Sequence, residues 1–77
     1  MKLTPKEKNI LIYVALGYTD KEIGSKMKLS YSTVRTYVDR GILKMSAKNR
    51  THAAVKFVFT IKPGVYLRRL KELKEVL

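Results

Sequence analysis

The sequence predicts an all-α protein, and three observations support this fold class. Two Thr-x-x-Glu words, Thr4 to Glu7 and Thr19 to Glu22, are typical of helix starts, because the two side chains cap free N–H groups reciprocally. Apolar residues recur at helical spacing along most of the chain. No stretch of useful length alternates apolar and polar residues as a half-buried strand does. The chain therefore divides into short helices separated by turns.

Turn signals place the first three helices. The first is expected over about residues 5–16, with Pro5 in its first turn and Gly17 as its stop. The second is expected over about residues 20–27. The third follows a Ser30 cap and runs towards Met45, although it contains Gly41, which lowers helix stability by about 1 kcal/mol relative to Ala.

Two further helices complete the prediction. Asn49 is expected to cap a fourth helix that runs to about Ile61. Val55 to Ile61 has the β-branched and aromatic composition of a strand, but a helix is expected because a lone strand has no partner. Lys62-Pro63-Gly64 is expected to break the chain before a fifth, amphipathic helix over Val65–Leu77. The predicted division is therefore a domain over residues 1–61 and a C-terminal helix within 62–77.

The composition restricts the function classes. The chain has 77 residues, one His and no Cys, so it offers no disulfide or thiolate metal site, and no cofactor is expected. A nucleophile–His–acid set and a phosphate-cradling Gly loop are both absent from the pattern, so an enzyme is not expected. The apolar stretch Ala53 to Ile61 is too short to span a bilayer, and the N-terminus lacks a signal-peptide core. A cytoplasmic protein without a membrane partner is therefore predicted.

The charge points to a polyanionic partner. The net charge is +11, from 17 Lys and Arg against 6 Asp and Glu. A small basic domain of this kind favours nucleic acid first and an anionic membrane surface second. Charge alone does not choose between them.

The second and third predicted helices form a helix-turn-helix pattern. A short helix, a tight turn and a longer helix that begins with hydroxyl residues are typical of this motif. Gly24 permits a close crossing of the two helices, and the third helix is expected to present Tyr31, Ser32, Arg35, Thr36 and Asp39 on its outer face. An α-helix fits the major groove of B-DNA. Two amphipathic helices joined by a turn also occur in proteins that do not bind DNA.

From about Leu3 to Val58, the chain resembles the LuxR/GerE/NarL family of DNA-binding domains. The matching words are Leu3-Thr4-Pro5-Lys6-Glu7, Ile10-Leu11, Gly17-Tyr18-Thr19-Asp20-Lys21-Glu22-Ile23, Ser30, Thr33-Val34-Arg35-Thr36, Lys44-Met45, Asn49-Arg50-Thr51 and Ala53-Ala54-Val55. The spacing between these segments matches the family pattern without a gap. If Met1 is the natural start, the chain is similar to small stand-alone regulators such as GerE.

The resemblance implies a four-helix fold whose third helix, about residues 31–45, lies in the major groove and whose fourth forms a dimer interface. By matching positions, the resemblance implies that base edges are read by Arg35, Thr36 and Asp39. It implies that the DNA backbone is contacted by Lys21, Ser32, Thr33 and Lys44. The implied function is sequence-specific double-stranded DNA binding by a homodimeric transcriptional regulator of a bacterium or phage. RNA polymerase or another regulator is an open further partner. The alternative is a protein-interaction module that heterodimerises with another transcription regulator and modulates it.

The chain departs from the family pattern at the third and fourth helices. Asp39 stands where basic or small polar residues are common, so it either contacts a base or simply pairs with a neighbouring cation. Gly41 replaces a large aliphatic residue, and we expect either that Tyr13 or Tyr37 fills the gap or that the helix bends there. His52 replaces a capping Glu, so the fourth helix is expected to rely on Asn49.

The tail carries an apolar seam at spacings of 4, 3 and 4 residues, formed by Tyr66, Leu70, Leu73 and Leu77. Ile12 and Leu16 occupy first-helix positions that the family usually leaves polar, and Phe57 is a further apolar candidate for this packing. The tail is therefore expected either to fold back on its own domain or to pair with a partner subunit.

Overall fold

A computed structural model describes residues 2–74, and within this range the chain forms five α-helices and no strand. They are α1 (Pro5–Ala15), α2 (Asp20–Met27), α3 (Tyr31–Lys44), α4 (Arg50–Thr60) and α5 (Pro63–Glu72). The all-α prediction is confirmed, and the segment from Val55 onward is helical despite its strand-like composition. Leu77, expected in the tail seam, lies outside the described residues.

Local capping explains where the first three helices begin. In α1 the Glu7 N–H donates to Thr4 Oγ1 at 3.2 Å, and the Thr4 N–H donates to Glu7 Oε1 at 2.8 Å. Thr19 and Glu22 form the same reciprocal pair at the start of α2. Ser30 caps α3 by accepting from the Thr33 N–H at 3.2 Å. Each bond satisfies a donor that a helix start leaves free.

Two side chains accept backbone hydrogen bonds at the start of α4. Asn49 Oδ1 accepts from the His52 N–H at 2.8 Å, as expected. His52 Nδ1 in turn accepts from the Lys48 N–H at 3.0 Å. The donor to His52 is the residue before the cap and not Asn49 itself, so this bond is not that of a capping box, and the expectation that the start of α4 relies on Asn49 is confirmed.

The core consists of two clusters that share α1. The first joins α1 to α2 and α3, and its buried members are Ile10, Tyr13, Ile23, Val34 and Val38. The second joins α1 to α4 and α5, and its buried members are Leu11, Ile12, Ala53, Phe57 and Leu70. Because Ile10 and Tyr13 belong to the first cluster and Leu11 and Ile12 to the second, α1 is buried on two sides and packs against both α3 and α4.

The tail folds back onto the second cluster. Leu70 is 2% exposed, and Tyr66 and Leu73 pack against the same cluster. Arg69 Nη1 also donates to Asn9 Oδ1 at 3.0 Å. The helix begins at Pro63, two residues before the expected start, because a proline suits the first helical position, where no N–H partner is needed. The division at residues 61 and 62 stays a prediction.

Glycine allows two close approaches, one in the turn before α3 and one between α3 and α1. A Cβ on Gly24 would lie 2.7 Å from the Leu29 carbonyl oxygen, so only glycine fits the α2–α3 turn without a shift. A Cβ on Gly41 would lie 3.2 Å from Leu11 Cδ2. Leu11 therefore fills the space beside Gly41, rather than Tyr13 or Tyr37, and α3 continues through this position to Lys44.

Candidate nucleic-acid interface

The turn between α2 and α3 is set by the backbone. Lys28 adopts a left-handed conformation with φ of 57°, and the Leu29 N–H returns to the Gly24 carbonyl at 2.9 Å. This closes α2 in a form that satisfies its last carbonyls. Val34, fully buried in the first core cluster, fixes α3 against α2. The two helices thus form the helix-turn-helix unit that the sequence predicts.

The first turns of α3 expose most of the predicted contact residues. Ser32, Arg35, Thr36 and Asp39 are exposed, while Thr33 is half-buried. Thr36 Oγ1 donates to the Ser32 carbonyl at 3.0 Å, and Thr33 Oγ1 accepts from Ser30 Oγ at 2.8 Å. Lys21 is exposed in the first turn of α2. All of these side chains remain predictions as DNA contacts.

Arg35 shares a buried carboxylate with a residue of α4. Asp20, at the start of α2, is 7% exposed. Its Oδ1 lies 2.5 Å from Arg50 Nη2, at an angle that departs from a linear hydrogen bond. Its Oδ2 lies 3.8 Å from Arg35 Nε, and the Arg35 side chain is 52% exposed. No sequence pattern relates positions 20, 35 and 50, so sequence reasoning missed this cluster.

The surroundings of Arg35 keep its guanidinium charged. A hydrogen bond with Tyr31 raises the pKa of Arg35 above its ordinary value, and the charges of Asp20 and Asp39 add to the effect. Asp39 thus acts electrostatically on Arg35, which is the simpler of the two roles considered for it. Arg35 is a permanent cation on the exposed face of α3.

Lys44, the last residue of α3, is held in an ion pair with a buried carboxylate. Its Nζ lies 2.7 Å from Glu7 Oε1, with the Lys44 side chain 20% exposed and Glu7 only 1% exposed. Burial raises the pKa of the Glu7 carboxyl, but the bonds from Lys44 and Thr4 outweigh it, so the net pKa lies below its ordinary value of 4.5. A phosphate contact from Lys44 requires it to leave a buried carboxylate, and this geometry disfavours that role.

Residues 2–74 contain neither a metal-binding cluster nor a membrane-spanning helix. No group of three or more His, Cys, Asp or Glu side chains is placed to hold a metal ion there. None of the helices in that range is long and apolar enough to cross a bilayer.

The arrangement of α2 and α3, with the outer face of α3 exposed, defines a helix-turn-helix domain. The family described as bacterial regulatory proteins of the luxR family matches residues 1–57. The chain therefore belongs to the luxR family.

Several transcriptional regulatory proteins are similar over the same region. The chain is 50% identical to YvfU of Bacillus subtilis over 52 residues, which cover 68% of this chain and 26% of YvfU. It is 40% identical to LiaR of Bacillus subtilis over 53 residues, covering 69% and 25% of the two chains. It is 36% identical to the response regulator VraR of Staphylococcus aureus, again covering 69% and 25%. The chain thus spans about a quarter of the length of these relatives. No solved structure gives a significant match.

Proposed function

We propose that the chain is a sequence-specific double-stranded DNA-binding module of a transcriptional regulator and inserts α3 into the major groove. The observation that carries this proposal is the exposed row of Ser32, Arg35, Thr36 and Asp39 on the first turns of α3 in a luxR-family helix-turn-helix. The N-terminal half of a recognition helix is the part that reaches base edges. The net charge of +11 supplies attraction to phosphates. Such a module acts in the cytoplasm of a bacterium or of a phage-infected cell.

The predicted contacts divide into readout and positioning. Arg35 is assigned to a guanine, because its two-pronged guanidinium matches the O6 and N7 acceptors. Thr36 and Asp39 are assigned to neighbouring bases. Lys21 and the hydroxyl groups of α3 are assigned to phosphates, which fix the register without reading sequence. Lys44 is the least favoured member of the backbone set, because Glu7 holds its ammonium group.

Binding of selected and scrambled duplexes, measured by fluorescence anisotropy across a salt series, tests this assignment. With five or six phosphates contacted, log affinity should fall against log salt with a slope of about −5. Arg35→Ala should bring selected and scrambled duplexes to similar affinity, whereas Lys21→Ala should weaken both alike. The reverse pattern in these two variants would overturn the role assignment.

We propose further that two copies associate through α4. Phe59 is 84% exposed and Val55 is 44% exposed, although both are large apolar side chains. They line a groove of about 280 Å³ together with Ala15, Ala54 and Tyr66, so α1, α4 and α5 all contribute to it. An exposed apolar surface of this kind is typical of an interface. In a two-fold dimer, the two recognition helices should meet half-sites spaced by roughly 34 Å or a multiple of it.

Light scattering on Phe59→Lys tests the dimer. A dimeric wild-type chain should become monomeric, because the new charge lies in the interface. Leu43→Lys is the matched control, since Leu43 is 67% exposed on α3 and lies outside the groove. Equal masses for the two variants would contradict association through α4.

The same apolar face favours the alternative function, a module that heterodimerises with another regulator. The two functions differ in what the purified chain does alone. A chain that stays monomeric and binds no duplex at physiological salt would favour heterodimerisation over the leading proposal. A dimer with salt-dependent duplex binding would exclude it as the main role.

A further inference from the structure

We propose that Asp20 is a positioning residue for DNA readout, and that it orients the Arg35 guanidinium towards a guanine. This inference rests on the proposed function and adds to it a specificity-determining residue that touches no DNA. Neither the sequence pattern nor the family resemblance assigns Asp20 a part in DNA recognition.

The Asp20 carboxylate is fixed and charge-compensated. It is 7% exposed, and Arg50, from the first turn of α4, lies 2.5 Å from one of its oxygens. An acidic side chain in the first turn of α2 also interacts favourably with the helix dipole. Two helices therefore hold the carboxylate in place, and its position does not depend on Arg35.

The second carboxylate oxygen faces one edge of Arg35. The separation of 3.8 Å joins Asp20 Oδ2 to Arg35 Nε, so the carboxylate is beside the Nε edge of the guanidinium. This distance is that of an ion pair and is longer than a hydrogen bond. The two terminal Nη groups are then left for an external ligand. A guanine presents two acceptors, and an end-on approach of both Nη groups satisfies them together.

The contact with Asp20 restricts the Arg35 side chain before DNA binds, which lowers the entropy lost on binding. The Arg35 side chain is 52% exposed, so in the absence of Asp20 it samples many rotamers and loses that freedom on binding. Tyr31, one turn earlier, also bonds to Arg35, but Tyr31 is itself 58% exposed and is not fixed by burial. Asp20 is therefore the buried partner of Arg35, and Tyr31 is the exposed one.

Asp20→Asn separates this role from a structural one by the direction of its effects. The substitution preserves shape but removes a negative charge beside the DNA-binding face. Affinity for any duplex should stay equal or rise, because repulsion of phosphates is removed. Discrimination at the guanine should fall, because the Nε edge loses its charged partner. A merely structural role would instead lower affinity for all duplexes and leave discrimination unchanged.

The experiment compares a selected duplex with one in which the guanine opposite Arg35 is replaced by 7-deazaguanine, which lacks the N7 acceptor. The wild-type chain should prefer the natural guanine by roughly 5- to 100-fold, the range of a bidentate contact. Asp20→Asn should keep less than about a third of that preference, while Tyr31→Phe, the matched control, should keep most of it. In an Arg35→Ala background, Asp20→Asn should change the preference no further.

The possible results separate the inference about Asp20 from the proposed function. Equal preference in wild type and Asp20→Asn would overturn the inference, as would a loss that persists in the Arg35→Ala background. The proposed function itself would be refuted if Arg35→Ala kept the wild-type preference for guanine over 7-deazaguanine, or if the wild type bound no duplex. Both outcomes are read from chains that retain Asp20, so they are distinct from a failure of the inference about Asp20.

A measurement on the unmodified chain covers the case in which Asp20→Asn does not fold. Hydrogen exchange of the Arg35 Nε–H, followed by nuclear magnetic resonance in the absence of DNA, should be slower than that of Arg40. Arg40 is exposed on the same helix, with its guanidinium 5.7 Å from the Tyr37 ring centre rather than beside a buried carboxylate. Equal exchange at the two arginines would overturn the inference.

Discussion

Two buried carboxylates pair with cations of α3, one near the start of that helix and one at its end. Glu7 in α1 pairs with Lys44 at 2.7 Å, and the Lys44 side chain is 20% exposed. Asp20 in α2 approaches Arg35 only to 3.8 Å, and the Arg35 side chain is 52% exposed. Both acids belong to the first turn of a helix, and each is less than 10% exposed.

The difference lies in which group depends on the other. Glu7 has Lys44 as its cation within hydrogen-bond distance, so loss of Lys44 leaves a buried charge without compensation. Asp20 is already compensated by Arg50, so Arg35 is not needed to neutralise it and keeps its two Nη groups available to a ligand. A close, enclosed ion pair therefore fixes the fold, whereas a longer pair at the surface holds a cation ready for recognition. Loss of the enclosed pair should therefore cost more stability than loss of either cation beside Asp20.

Lys44→Ala should lower the free energy of unfolding by about 3–5 kcal/mol, because it strands the Glu7 carboxylate in the core. Urea unfolding followed by circular dichroism measures the loss. The double variant Glu7→Gln with Lys44→Met should recover much of it, since Gln retains the capping box and Met fills the space. Lys48→Ala, at an exposed position, is the control and should change little. A Lys44→Ala chain as stable as that control would show that the buried pair does not hold α1 to α3.

Arg50→Ala should lower the free energy of unfolding by about 1–3 kcal/mol, less than Lys44→Ala because Arg35 still faces Asp20. The Arg50 side chain is 33% exposed, which also weakens its pair. Arg68→Ala is the arginine control. Its pair with Glu72 joins side chains 70% and 65% exposed, so its loss should be under about 0.5 kcal/mol. Equal losses in the two variants would mean that the Asp20 carboxylate needs no partner.

Acid should weaken the wild-type fold through Glu7. The folded-state pKa of Glu7 lies below its ordinary value of 4.5, so its stabilisation is present above that pH and is lost as the pH falls through the folded-state pKa. The loss should be smaller than for Lys44→Ala, because a protonated Glu7 no longer needs a cation. The pKa of Glu22 is lowered in the same direction by its bonds to Thr19, so the wild type must be compared with Glu7→Gln. Parallel pH profiles for the two chains would contradict this role of Glu7.

Arg35→Ala should change the free energy of unfolding by less than about 0.5 kcal/mol, because Asp20 keeps Arg50 as its partner. The same variant should lose discrimination between duplexes. Stability and anisotropy measured on one preparation test both statements. A loss of stability comparable with that of Lys44→Ala would show that Arg35 supports the fold, and the contrast between the two carboxylates would then fail.

The parts of the fold that follow local rules were predictable. Thr4, Thr19, Ser30 and Asn49 were expected to cap helices, and each does so. The bounds of α2 were also predicted correctly. The start of α5 was misplaced, because Pro63 was interpreted as a break when it serves as the first residue of the helix.

The parts that depend on packing were not predictable in the same way. The apolar seam of the tail allows folding back or pairing with a partner; Leu70 packs in the same cluster as Ile12, and pairing with a partner stays a prediction. Tyr13 or Tyr37 was expected beside Gly41, but Leu11 lies there. Phe57 was assigned to either the dimer or the tail, and it is 3% exposed within the chain's own core.

The all-α class, the helix starts and the outer face of α3 follow from the order of residues alone. Those features depend on capping bonds and apolar spacing over three or four residues, which the order of residues specifies directly. The pairing of each buried acid with its cation follows from tertiary packing. Lys44 is 37 residues from Glu7, and Arg50 comes from a different helix than Asp20. No local pattern encodes such pairs, because they exist only after α1, α2, α3 and α4 have packed together.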